Sequence, residues 1–237
     1  MTTNLFLPNP FFSEARATIE NEAHHHLFKV KRHQVGDRLR IVDGQGAARW
    51  AEIVGIDKRS ARLALGEAAE ANEPAFALEL FVAAPKPERA SWLVEKVTEL
   101  GVVAVHFVAT DRDARSFAPA QLARLRRIAI SAVEQCGRSV VPELAAGGEL
   151  EGVVARARQS RLPMTVLDAA GTDRLAAGAG GGRGALLVGP EGGWSPEERA
   201  LFARQELPMA ALGPTVLRVE TAAVVAAGLL LCSGVSR

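Results

Sequence analysis

From Ala75 to Cys232 the chain repeats one pattern: an apolar run of strand length, a turn, then a segment with helical spacing. Residues 78–84, 102–108, 163–168, 185–189 and 209–212 read as strands, and 88–100, 119–136, 149–159, 196–204 and 220–232 as helices. Strands apolar throughout, rather than alternating, are those covered on both faces. The alternation predicts a mostly parallel sheet with helices on both sides, an α/β domain. Such sheets bind ligands in loops beyond the carboxyl ends of their strands, so chemistry is sought there.

Residues 1–72 follow another rule. Runs of period two at 38–42, 49–56 and 61–65, separated by turns such as Asp43-Gly44, predict a small all-β module. The stretch 67–74 (EAAEANEP) reads as a linker, which divides the chain into domains 1–72 and 73–237. Cys136 and Cys232 are far apart and form no CxxC, which excludes a disulfide framework or a zinc ribbon and suits reduced thiols in the cytoplasm. The longest apolar run, 222–235, falls short of the roughly 20 residues a membrane span needs, and 1–12 has no basic residue ahead of an apolar stretch, so no membrane partner is expected. The glycine run 178–184 precedes a strand and reads as a flexible loop.

Four segments are candidates for chemistry. In 187–198 (LVGPEGGWSPEE) a buried strand runs into a glycine-rich loop, and a helix then opens with Ser195 as N-cap, Pro196 at its first position and Glu198 completing a capping box. No Gly-Lys-Ser/Thr follows, and two acids in the first helical turn repel phosphate, so the loop suits a neutral or cationic ligand, or is a tight turn. In 212–222 (LGPTVLRVETA) Arg218 and Glu220 are the only charges between Glu206 and Arg237. A charge beside so much apolar sequence is costly unless it is solvated, paired or functional; helix capping is the other reading of Glu220. Segments 95–101 (EKVTELG) and 132–138 (AVEQCGR) read alone as helix ends with glycine stops. In 24–33 (HHHLFKVKRH) consecutive histidines cannot share a helix face and no acid or cysteine completes a set, so no metal site is expected; the stretch reads as a basic patch for phosphate or as a solvated turn.

In this order the motifs resemble the RsmE family, the small-subunit (16S) ribosomal RNA uridine-N3 methyltransferases of the SPOUT class. His26 and Arg32 match the family's basic element, Lys86 with 95–102 its lysine-to-helix signature, and 134–138 its E-Q-x-x-R element. VGPEGG (188–193) and LGPTVLRVETA (212–222) are similar to its two hallmark loops, with Thr215 where the family usually has Arg. The resemblance implies a PUA-like RNA-binding β-barrel at 1–72 and a SPOUT methyltransferase domain with a C-terminal trefoil knot at 73–237. It also implies S-adenosyl-L-methionine as cofactor, and a homodimer with part of the active site supplied across the interface. On the matched positions it implies cofactor binding by Leu187, Gly189, Pro190, Glu191, Gly192, Gly193, Leu212, Gly213 and Leu217. Catalysis falls to Arg218 and Glu220, and contact with the 16S rRNA of the small ribosomal subunit to His26, Lys29, Arg32, Lys86, Arg112, Arg115 and Arg138. A non-catalytic RNA-binding protein of the same fold is the alternative, which Thr215 supports. A nucleotide-dependent oxidoreductase lacks its early glycine fingerprint here.

A net charge of +1 looks unlike an RNA binder. Yet His24 to Arg40 carries five Lys/Arg against one acid, and Asp111 to Arg138 six against three. Neutrality is thus a cancellation between basic segments and an acidic remainder, and it leaves room for a focused RNA-binding face.

Overall fold

The computed structural model describes residues 3–8, 14–25, 27–28, 32–171, 173–176 and 181–232. They form two compact units, Met1–Glu73 with Ile130–Val141, and Pro74–Ala129 with Pro142–Arg237.

The first unit contains β1 (Asn4–Phe6), β2 (Arg16–Glu20), the short α1 (Asn21–His25), β3 (Arg38–Val42), β4 (Ala48–Ile56) and β5 (Ser60–Ala68). The strands form one sheet in the order β1-β3-β4-β5-β2, antiparallel except for β1 beside β3. Strand alternation points Ala17 and Ile19 of β2, Leu39 and Ile41 of β3, Ile53 of β4 and Leu63 of β5 into one core, with Leu27. Arg40 lies between two of these core residues and points the other way, yet it is only 5% exposed. Its guanidinium donates to Asn4 Oδ1 (3.1 Å), the Gly137 carbonyl (3.0 Å), the Glu70 carbonyl (2.6 Å) and Ser139 Oγ (2.7 Å). Arg138 donates from Nε (2.9 Å) and Nη2 (2.7 Å) to Glu73 Oε2, while Glu73 Oε1 accepts from the backbone N–H groups of Ser139 and Val140. Glu134 Oε1 accepts the Phe6 N–H at 2.9 Å. These polar contacts tie 130–141 into the first unit, an attachment that a single cut in the sequence does not express.

The second unit contains β6 (Phe76–Ala83), α2 (Pro87–Leu100), β7 (Ala104–Ala109), most of α3 (Pro119–Cys136), β8 (Glu143–Glu149), α4 (Leu150–Gln159), β9 (Met164–Leu167), β10 (Asp173–Arg174), β11 (Gly182–Val188), α5 (Pro196–Arg204), β12 (Met209–Ala211) and α6 (Val219–Leu231). All seven strands are parallel, in the order β10-β12-β9-β11-β6-β7-β8. Residues of α4 and α5 pack on the face that carries Phe81, Val166 and Leu187. Helix α6 lies against β6 and β11 and packs on α2. Every helix expected from periodicity is present, with bounds shifted by at most a residue or so at an end. The glycine run behaves differently from the expected loop. Residues 177–180 lie outside the described residues, but Gly182, Arg183 and Gly184 already belong to β11. A Cβ on Gly184 would stand 2.8 Å from the Phe76 ring, so glycine there admits close packing against the neighbouring strand.

Removing the Arg40 side chain leaves buried acceptors without a donor. Arg40→Ala is expected to destabilise the first unit by about 2–4 kcal/mol, read as faster amide hydrogen exchange in β3 and 137–141, whereas the exposed Arg38→Ala stays within about 0.5 kcal/mol.

Candidate active site

Strands β9, β11 and β12 are neighbours on one side of the sheet, and the loops leaving their carboxyl ends surround a cavity of about 310 Å³. That size falls in the range of small-molecule sites. The end of β9 and the loop after it contribute Leu167 to Ala170, the loop after β11 contributes Gly189 to Trp194, and the loop after β12 contributes Leu212, Gly213 and Thr215 to Leu217. Val219 and Ala222 at the start of α6, and Arg199 of α5, complete the wall.

Trp194 sets the shape. Its ring is 2% exposed, packs edge-on against Phe202, and donates from Nε1 to the Leu167 carbonyl at 3.0 Å. A Cβ on Gly189 would lie 2.7 Å from Trp194 Cε2, so only glycine lets the strand end pass the ring. Gly193 takes φ +71° and closes a turn by donating to the Pro190 carbonyl at 2.8 Å. The expected capping box is present: Ser195 Oγ accepts the Glu198 N–H at 3.1 Å and Glu198 Oε2 accepts the Ser195 N–H at 2.7 Å. Glu198 Oε1 also accepts the Asp111 N–H, and Ser195 Oγ donates to Asp111 Oδ2, so the loop after β7 holds this corner.

Of the expected cofactor contacts, Gly189 to Gly193, Leu212, Gly213 and Leu217 line this one cavity. Leu187 does not; it is wholly buried in the core beneath. Asp168 and Arg199 also line the cavity and belong to none of the sequence motifs. Asp168 Oδ1 accepts the Ala170 N–H at 2.9 Å, and Oδ2 faces Arg199 Nη1 at 2.7 Å as an ion pair outside hydrogen-bond alignment. Asp168 closes the apolar run of β9, and a carboxylate at a strand's carboxyl end was the available signal. With no Tyr in the chain, stacking on a base would fall to Phe or Trp, but Trp194 is a core residue. Among the described residues, none donates to or accepts from the backbone of 213–217.

Arg218 is the N-cap of α6 and Glu220 lies in its first turn. Arg218 is exposed; its carbonyl accepts the Ala222 N–H at 2.8 Å, and its side chain has no ion-pair or hydrogen-bond partner among the described residues. Glu220 is 7% exposed; its Oε1 faces Arg89 Nε at 3.6 Å, and its Oε2 has no partner among the described residues. Neither is among the residues that line the cavity; Leu217 and Val219, on either side of Arg218, and Ala222, two residues beyond Glu220, are.

The expected RNA contacts fall on several separate segments of the chain. His26 and Lys29 lie outside the described residues. Arg32, at φ +58°, and Lys86, the N-cap of α2, are exposed. Arg112 donates to the Gly192 carbonyl at the cavity rim. Arg115 donates from Nε to Asp113 Oδ1 at 2.8 Å; this pair holds the Asp113 carboxyl below the usual carboxylate range. Arg138 corrects the expectation: it is 3% exposed and ion-paired with Glu73, which withdraws it from any phosphate. Among the described residues no group of three or more His, Cys, Asp or Glu could hold a metal ion, and no helix is long and apolar enough to cross a membrane.

A family model for an RNA methyltransferase domain matches residues 72–231, and one for an RNA methyltransferase PUA domain matches residues 19–65. Ribosomal RNA small subunit methyltransferase E of Synechocystis sp. is 30% identical over 236 residues, covering 90% of this chain and 72% of the relative. The protein of that name from Mycobacterium bovis is 31% identical over 225 residues, covering 90% and 85%. Among solved structures, Lpg2936 from Legionella pneumophila, determined with the bound cofactor SAM, has a TM-score of 0.82 at 27% identity, covering 98% of both chains. Likeness of this extent, spanning both the PUA-like sheet and the SPOUT-type parallel sheet, means that the chain belongs to the RNA methyltransferases of the ribosomal RNA small subunit methyltransferase E family.

Proposed function

We propose that the chain transfers a methyl group from S-adenosyl-L-methionine to N3 of a uridine in the 16S rRNA of the small ribosomal subunit, as a cytoplasmic homodimer. One observation carries the reading: α6 opens with an exposed, unpaired cation, Arg218, and a buried carboxylate with a partnerless oxygen, Glu220, in a stretch whose residues Leu217, Val219 and Ala222 line the cavity. In this reading the PUA-like domain, 1–72, binds RNA, and 73–237 is the catalytic domain with its trefoil knot.

The cavity suits this cofactor. Its floor is apolar, and its charged lining residues are Asp168, Glu191 and Arg199, a balance that favours a sulfonium cation over a phosphate. The partnerless backbone of 213–217 offers hydrogen bonds for the adenine and amino-acid parts. The cofactor supplies a methyl group already activated as an electrophile, so the reaction calls for no metal ion. The protein's share is to hold uridine N3 in line with that methyl carbon and to take the imide proton. Glu220 Oε2 accepts the proton as the N3–C bond forms and the sulfur leaves as a neutral thioether. Arg218 stabilises negative charge developing on a flanking carbonyl oxygen. Trp92 on α2 and Val225 on α6 are large apolar side chains left 44% and 41% exposed, which a second copy would cover in this reading.

Arg218→Ala should lower methyl transfer to small subunits by about 10²–10³-fold while leaving cofactor affinity within about threefold, as loss of a charge-stabilising donor does. Full turnover by that variant, or an unchanged N3-methyluridine signal in rRNA from cells lacking the gene, would sink the assignment. If the unaltered protein binds no S-adenosylmethionine by calorimetry, the non-catalytic RNA-binding alternative holds. Gly189→Ala forces a clash with Trp194 worth about 1–3 kcal/mol and should weaken cofactor binding by about tenfold or more in the same calorimetry. Trp92→Glu should convert a dimer to a monomer in sedimentation; an unchanged mass would remove α2 from the interface.

A further inference from the structure

Arg89 is placed against the ordinary electrostatics of its helix. It sits in the first turn of α2, two residues after Pro87, where the helix dipole disfavours a cation. No helix-stability argument explains it there. What explains it is a pair of carboxylates from two other elements. Arg89 Nη1 donates to Glu191 Oε1 at 2.8 Å, and Arg89 Nε faces Glu220 Oε1 at 3.6 Å. Glu191 belongs to the loop after β11 and lines the cavity; Glu220 belongs to α6. One guanidinium therefore spans the cofactor-side loop and the buried carboxylate.

The asymmetry at Glu220 adds to this. One carboxylate oxygen faces a cation and the other is buried with no partner. A buried charged group left half-satisfied is costly, and such cost is retained where the open valence has a use. Arg89 holds the Oε1 end and leaves Oε2 open. Its contact with Glu191 is 34%/45% exposed at the side chains, so the ion pair itself adds little to stability.

We propose that Arg89 is a positioning residue for methyl transfer: it couples the Gly189–Gly193 loop to Glu220, so that the arrangement of the cofactor loop sets the orientation of the proton-accepting carboxylate. This rests on the function proposed above for Glu220. Loss of Arg89 then frees Glu220 to turn, and loss of the Glu191 carboxylate acts through the same guanidinium.

The test compares the unaltered protein with Arg89→Ala, Arg89→Lys, Glu191→Gln and the double variant Arg89→Ala/Glu191→Gln. Single-turnover methyl transfer to small subunits is followed at saturating S-adenosylmethionine, and cofactor affinity by calorimetry. Arg89→Ala should slow transfer by about 10- to 100-fold, the scale of a misplaced reacting group, with the KM for subunits within about twofold. Arg89→Lys should recover only part of the rate, because an ammonium cannot span both carboxylates. The double variant should be no slower than Arg89→Ala, and its change in cofactor affinity should likewise be less than the product of the single changes. A transfer rate for Arg89→Ala within twofold of the unaltered protein, or losses that multiply in the double variant, overturns the proposal. If the unaltered protein transfers no methyl group, the function proposed above fails, and the calorimetric cycle alone decides the coupling of Arg89 to the loop: multiplying affinity changes overturn it, and non-multiplying ones retain it.

Discussion

The Trp194 indole fixes the spacing between two loops that would otherwise be independent. Its N–H reaches across to the Leu167 carbonyl at the end of β9, while its ring presses on Gly189 at the end of β11. Because the ring is buried against Phe202 of α5, the core of the sheet and the rim of the cavity share one side chain. The cavity is thus built on a rigid element, as a site needing sub-ångström placement requires. The glycines beside Trp194 follow from it: Gly189 passes the ring, and Gly193 turns the chain back with positive φ. The Ser195–Glu198 box then starts α5 immediately, leaving the loop no slack.

The first unit relies on a different device. A five-stranded sheet offers one buried face, and here the other face is partly closed by polar contacts. Arg40 and Glu73 act as donor and acceptor hubs for the same short stretch, 137–140. Burial pushes the Arg40 pKa downward, yet the guanidinium is satisfied by carbonyl, amide and hydroxyl oxygens rather than by direct contact with a carboxylate. Such a network is costly to interrupt, which suits a role in fixing the geometry of the segment that follows α3.

Much of the second unit was legible because its helices carry period and caps together. Pro87 and Gly101 bracket α2, and Pro196 with the Ser195 box opens α5. Strand β8 was illegible for a physical reason. Its sequence, ELAAGGE, lacks the β-branched and aromatic residues that mark a strand, because Gly147 must pass Val108 closely and Gly148 takes φ +83° at an edge irregularity. Strands β1 and β2 are short and find their partners far along the chain, so local pattern carried little signal. At the site, the glycine loops were readable because turn chemistry is local. Asp168 carried only the local signal of a carboxylate at a strand's carboxyl end, and Arg199 and Arg89 carried none, because each acquires its meaning from an element distant in sequence.

The same distinction applies to charge. Counting basic residues between Asp111 and Arg138 suggests a phosphate-binding stretch, but the structure assigns half of them internal partners. Arg112 holds the Gly192 carbonyl, Arg115 holds Asp113, and Arg138 holds Glu73. The other three, Arg124, Arg126 and Arg127, are exposed along α3 and lack ion-pair partners among the described residues. Phosphate affinity depends on cations whose charge is not already neutralised within the protein. A carbonyl does not cancel a guanidinium charge, so for this stretch the uncancelled charge lies on Arg112 and on the three arginines of α3, while Arg115 and Arg138 are neutralised by Asp113 and Glu73. A near-neutral chain can keep a basic face in this way because its acids are employed in pairs that subtract from the count without reaching that face.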